Sequence, residues 1–195
     1  MPTAQTIGPD TAMRDVLAAY PGARRALFRR YHLGGCSSCA FSPAETLAQL
    51  CARGGNLNVV EVLAHIQASH QADQQLEIAP KEVAQRRAQG ENIRLLDLRT
   101  RQEWDAVRLE GAEFVNQDLI QRLMGQEGHQ GLLVFYDHAG AGSIDAAAYF
   151  AGHGFANARF LRGGIDAWSQ EVDPKIPRYR LEQTGDPPKP QNHHS

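Results

Sequence analysis

Two stretches of this 195-residue chain carry residue types that do chemistry. The first is Cys36-Ser37-Ser38-Cys39. A CxxC spacing places two sulfurs close enough to form a disulfide or to share a metal ion. A helix N-terminus just beyond it favours thiolate, which lowers the thiol pKa and raises reactivity at neutral pH. Cys36 and Cys39 are therefore the candidate catalytic residues, as a redox dithiol or as persulfide carriers, with Cys36 attacking and Cys39 resolving. His32 and Cys51 offer the two further ligands of a closed zinc site. An iron–sulfur cluster would draw ligands from a second copy, because there is no second CxxC. The leading reading needs no cofactor; zinc and iron–sulfur are the alternatives, and reduced cysteines packed in a small core are the bland one. Cys51 itself fits packing better, since it shares an apolar stripe with Leu47 and Leu50 and unpaired cysteine is commonly buried.

The second stretch is Asp137-His138-Ala139-Gly140-Ala141-Gly142-Ser143. It follows Leu132–Tyr136 (LLVFY), an apolar run expected of a strand buried on both faces. In open α/β sheets ligands sit beyond the carboxyl ends of the strands. Gly140 and Gly142 allow successive N–H groups to converge on an anion, and the helix expected next adds positive partial charge. Three roles are open for Asp137. Its carboxylate can accept the loop's own N–H groups as an internal anion. It can pair with His138 as acid and base, although adjacent residues after a strand point in different directions. Or the pocket can serve binding.

The positioning elements divide near residue 70. Before it, apolar residues recur at helical spacing: Met13, Val16, Leu17 and Tyr20, then Ala26, Leu27 and Tyr31. Ser42, Pro43 and Glu45 read as a capping box opening a third helix, and Asn58 with Glu61 opens a fourth. The polar Gln67–Gln75 reads as linker. After it, helix and strand patterns alternate: Pro80–Ala88 helical, Ile93–Leu98 a strand, Phe114-Val115 a short strand, Asp118–Met124 helical, Leu132–Tyr136 a strand, Ser143–His153 a helix capped by Ser143, and Ala158–Leu161 a last strand. Alternation of this kind implies a parallel sheet. The predicted fold is α/β, a parallel sheet flanked by helices and preceded by a small all-α domain. The boundaries are 1–69 for the helical CxxC domain, 70–75 for the linker, 76–174 for the α/β domain, and 175–195 for a disordered tail rich in Pro and Gln.

Composition narrows the function classes. A net charge of −2 gives no electrostatic pull towards nucleic acid or an anionic membrane. Arg24, Arg25, Arg29 and Arg30 recur as a solvated helix face. Charges interrupt the first thirty residues, and no window approaches a membrane span, so a cytoplasmic location is expected. Three cysteines confined to the first third do not make a disulfide scaffold.

From about Leu76 to Pro174 the chain resembles a single rhodanese domain. The matching pieces are LLDLRTRQEW (Leu95–Trp104), LEGA (Leu109–Ala112), FYDHAGAGSIDAAAYFAGHGF (Phe135–Phe155) and LRGGIDAW (Leu161–Trp168). Active relatives place a cysteine, a loop glycine, often an arginine, and a hydroxyl residue in this loop. Here Asp137 takes the cysteine position, Gly140 the glycine, Gly142 the arginine position and Ser143 the hydroxyl. A persulfide intermediate needs a thiolate, so the resemblance implies a degenerate loop without classical rhodanese or phosphatase activity. It also implies a local ion pair among Asp97, Arg99 and Glu103 that supports the sheet. Residues from about Thr6 to Ile66 resemble the hybrid-cluster-protein-associated redox disulfide domain, itself similar to the N-terminal part of iron–sulfur repair di-iron proteins. Asp10–Leu17, Tyr20-Pro21, GCSSC and Glu45–Leu47 carry that likeness, which implies a redox dithiol at Cys36 and Cys39. The combined expectation is a thiol-redox or sulfur-trafficking protein whose partner is a protein of sulfur or redox metabolism. The alternatives are a non-enzymatic adaptor or sensor switched at the CxxC, and a sulfurtransferase that uses Cys36 or Cys39.

Overall fold

The computed structural model describes residues 7–34, 41–125 and 129–179. Cys36 and Cys39, the centre of one sequence expectation, lie outside the described residues.

Helices α1 (Met13–Ala19), α2 (Ala23–Tyr31), α3 (Leu47–Arg53) and α4 (Val59–Gln74) come first. Their apolar stripes close on one core of Met13, Val16, Leu27, Leu47, Leu50, Cys51, Val62 and Ile66. Asn58 caps α4 as its spacing predicts, accepting from the Val60 and Glu61 N–H groups. The cap of α3 is a correction. Thr46, not Ser42, is the N-cap, and Thr46 with Gln49 forms the capping box. Ser42 instead closes a turn with the Glu45 N–H, and Glu45 pairs with Arg53 at 3.0 Å. Thr46 wins because it bridges Ala12, which fixes where the helix can begin.

The expected linker is also corrected. Helix α4 runs through that segment to Gln74. Its polar residues make contacts there: the His70 ring meets Tyr20 at 5.2 Å, and Asp73 is buried and pairs with Arg25. Polarity marked a solvated face, and glutamine and alanine are good helix formers.

Among the described residues one parallel sheet follows, in the order β1-β5-β4-β2-β3. The strands are β1 (Glu77–Ile78), β2 (Ile93–Asp97), β3 (Glu113–Phe114), β4 (Leu132–Tyr136) and β5 (Ala158–Leu161). Helices α5 (Pro80–Ala88), α6 (Arg101–Ala106), α7 (Gln117–Met124), α8 (Ala141–Gly152) and α9 (Gly164–Glu171) flank it. The α/β architecture read from the sequence is thus present. Every residue of β4 is buried, because helices cover both faces of the sheet and form a separate cluster on each. β1 pairs Glu77 with Phe160 and Ile78 with Leu161.

Two further corrections bear on the site. Gly140, not Ser143, is the N-cap of α8. Gly140 has φ +94°, and a Cβ there would meet the Gly163 nitrogen at 3.0 Å, so glycine is required. Ser143 lies inside the first turn, buried, with its hydroxyl donating to the Gly140 carbonyl at 3.2 Å. Second, the chain after Pro174 continues as packed structure to Tyr179. Ile176 joins the apolar cluster with Trp168 and Leu161, and the Ser169 hydroxyl donates to its carbonyl at 2.6 Å. One apolar side chain amid polar neighbours suffices to anchor such a segment.

Candidate functional site

β2 and β4 are adjacent and in register, with Asp97 opposite Tyr136. Their carboxyl ends therefore lie side by side, and the chain leaving β4 enters the loop at Asp137. The carboxylate of Asp137 turns back into that loop. One oxygen accepts the Gly140 N–H, and the other accepts the Gly142 N–H at 2.5 Å. A Cβ at Gly142 would come within 3.0 Å of the same carboxylate. Two converging N–H groups at the start of α8 favour negative charge, and here the charge is the chain's own. Ala139 is exposed at the loop's crest, and Ala141 opens α8.

Helix α9 locks the loop from below. The Ile165 N–H donates to the Asp137 carbonyl at 3.0 Å and the Asp166 N–H to the His138 carbonyl at 3.1 Å. Gly164 makes this approach possible, since a Cβ there would collide with the Asp137 carbonyl. The LRGG spacing thus serves close backbone contact.

At the end of β2, Asp97 and Arg99 form an ion pair at 2.6 Å whose side chains are 0% and 1% exposed. Arg99 also donates to the Val107 carbonyl at 2.6 Å. Burial opposes its charge, but the hydrogen bonds it donates to Asp97 and Tyr179 outweigh that and hold the guanidinium protonated. The expected ion pair beneath the sheet is present, with Glu103 attached through a tyrosine rather than directly. The Tyr179 hydroxyl accepts from Arg99 and donates to Glu103, both at 2.8 Å.

His138 does not engage Asp137. Its ring packs on Tyr179 with centroids 4.5 Å apart, and its buried Nδ1 has no partner among the described residues. The two side chains thus point to different partners, and the acid–base geometry is not formed. His138, Asp166, Arg178 and Tyr179 line a polar crevice of about 300 Å³. Arg178 pairs with Asp166 at 2.6 Å and 3.0 Å, which holds the Asp166 carboxyl below the usual carboxylate range. Sequence reasoning missed Arg178 and Tyr179. A lone tyrosine three residues after an isoleucine in a polar run was the available signal.

The alternative metal ligands fall in different environments. Cys51 is buried in the helical core, where burial pushes its thiol pKa up. His32 is exposed at the C-cap of α2, with its ring edge-on to Phe28. Among the described residues no group of three or more His, Cys, Asp or Glu side chains is arranged to hold a metal ion. No helix among them is long and apolar enough to cross a membrane.

Residues 79–171 match the model of the rhodanese-like domain. The chain is 33% identical over 100 residues to a sulfurtransferase of Allochromatium vinosum, covering 51% of this chain and 94% of that protein. It is 32% identical over 104 residues to the probable adenylyltransferase/sulfurtransferase MoeZ of Mycobacterium tuberculosis, covering 52% of this chain. The chain spans only 26% of that relative's length. Among solved structures, a rhodanese-like domain from Anabaena is similar at 18% identity and a TM-score of 0.44, covering 62% of this chain and 97% of that one. The match of residues 79–171 and the near-complete span of the Allochromatium sulfurtransferase at 33% identity lead to one conclusion: the chain belongs to the rhodanese-like family.

Proposed function

We propose that this rhodanese-like, sulfurtransferase-related chain is a thiol-redox or sulfur-trafficking protein in which Cys36 and Cys39 carry the chemistry and the rhodanese-like domain, degenerate at Asp137, acts as a binding module. One observation carries the reading: both loop N–H groups at the start of α8 are taken by the Asp137 carboxylate. A carboxylate has no sulfane-sulfur chemistry, and it fills the place where an incoming anion would meet those donors. With Cys51 buried and its thiol pKa raised, the sulfurs left for the work are Cys36 and Cys39. The sulfurtransferase names of the relatives support a place in sulfur chemistry, with a protein partner supplying or receiving the sulfur.

The test is an intact mass spectrum of the full chain after anaerobic incubation with thiosulfate, with the cysteines then mapped. The expected result is added sulfur, or a disulfide opened by mild reductant, on Cys36 and Cys39. It persists in Asp137→Ala and is lost in Cys36→Ser. Zinc or iron that a chelator removes, with the two cysteines shielded from alkylation until then, would overturn the proposal. So would thiosulfate:cyanide transfer that survives Cys36→Ser and Cys39→Ser.

A further inference from the structure

Tyr179 lies where an α/β fold receives ligands, at the carboxyl ends of two adjacent strands from which the chain departs in opposite directions along the sheet. Its contacts are those of a bound phenol. The hydroxyl meets a donor, Arg99, and an acceptor, Glu103, each at 2.8 Å. The ring rests on His138 at 4.5 Å, whose buried Nδ1 remains unpartnered among the described residues. A hydroxyl satisfied on both sides and a ring packed at a 50° tilt against imidazole together constitute specific recognition.

The segment bringing Tyr179 there is lightly held. Up to Ile176 the backbone is tied down: the Ile176 N–H donates to the Asp173 carbonyl at 3.1 Å, and the Ser169 hydroxyl of α9 donates to the Ile176 carbonyl at 2.6 Å. No backbone hydrogen bond is found for residues 177–179 among the described residues; the Arg178 and Tyr179 side chains hold them. Arg178 is 56% exposed, and exposed ion pairs contribute little. A stretch held by two side chains opens at far lower cost than the sheet beneath it.

We propose that Arg99, Glu103 and His138 form a phenol-binding crevice, that Tyr179 fills it as an internal ligand, and that a tyrosine side chain of a protein partner takes its place when residues 177–179 swing away. This goes beyond the sulfur reading and uses neither cysteine of the CxxC, so the two can fail separately.

The test reads His138 directly. The full chain and its Tyr179→Ala variant are treated with diethyl pyrocarbonate, and carbethoxylation of His138 is followed by peptide mapping. The variant is expected to react at least about tenfold faster, the consequence of losing hydrogen bonds to two charged groups. Adding p-cresol should restore protection, whereas toluene, of the same shape but without the hydroxyl, should not. Arg178→Ala, which leaves Arg99, Glu103, His138 and Tyr179 in place, should react at an intermediate rate and be protected by p-cresol; it carries the test if Tyr179→Ala does not fold. Equal His138 reactivity in the parent and both variants overturns the cover. Faster reaction that p-cresol and toluene slow equally, or not at all, overturns the phenol site.

Discussion

Asp137 holds two N–H groups that would otherwise face solvent or a ligand without a partner. Replacing it with alanine removes both acceptors at once. Charge-assisted hydrogen bonds contribute about 1.5–3 kcal/mol each, but the vacated donors can rehydrate in this half-exposed loop. Asp137→Ala is therefore expected to lower stability by about 1–3 kcal/mol in urea unfolding. The emptied donors then become an anion site. Sulfate should raise the thermal midpoint of the variant well beyond its general salting effect on the parent protein. An equal sulfate response in both would show that the carboxylate does not occupy an anion site.

Glu103 and Asp166 anchor the segment after α9, and both titrate on the acid side of the ordinary carboxylate range. For Glu103, burial pushes the pKa up, but hydrogen bonds from Thr100 and Tyr179 and the charge of Arg99 outweigh it. For Asp166 the main cause is the hydrogen bonds from Arg178. A carboxyl whose pKa is lowered on folding stabilises fully above its unfolded value and loses that contribution as pH falls through the folded one. The anchors should thus hold unchanged from neutrality to about pH 5 and release below about pH 4. Amide and ring resonances of residues 177–179 would report this, and movement centred near neutrality would contradict it. At this same scale the sequence showed its reach and its limits. Pro80–Ala88, Leu132–Tyr136 and Ala158–Leu161 were legible to the residue, because a proline start or an apolar run fixes them locally. The caps at Thr46 and Gly140 were not, since a bridge to Ala12 and the approach of Gly163 decided them. Helices α6 and α9 went unread, the first because none of its six residues is buried and no apolar stripe marks it. The Asp137 loop was legible from its glycines, whereas Tyr179 reaches the site only through tertiary packing.

Across the whole molecule, Arg25 joins the helical region to the sheet. Its guanidinium pairs with Asp73 of α4 and with Asp145 of α8, the helix that grows out of the Asp137 loop. Asp73 is 8% exposed in its side chain and Asp145 56%, so the first pair carries most of the energy. Arg25→Ala is expected to cost about 1–3 kcal/mol by leaving Asp73 buried without a cation. Amide exchange should quicken in α2 and in the first turns of α8. If exchange in α8 is unchanged, the two parts are mechanically independent. The pairing of β1 with β5 has a consequence for how the chain is made. Glu77 and Ile78 find no partner until the ribosome has delivered Phe160 and Leu161. The four N-terminal helices need only near neighbours and can assemble while synthesis continues, and β2, β3 and β4 can pair with one another, but β1 and the open edge of β4 wait for the last strand. During that interval Leu132–Tyr136, buried throughout in the finished fold, keeps its β5 edge open, and a nascent-chain chaperone would find its natural target there.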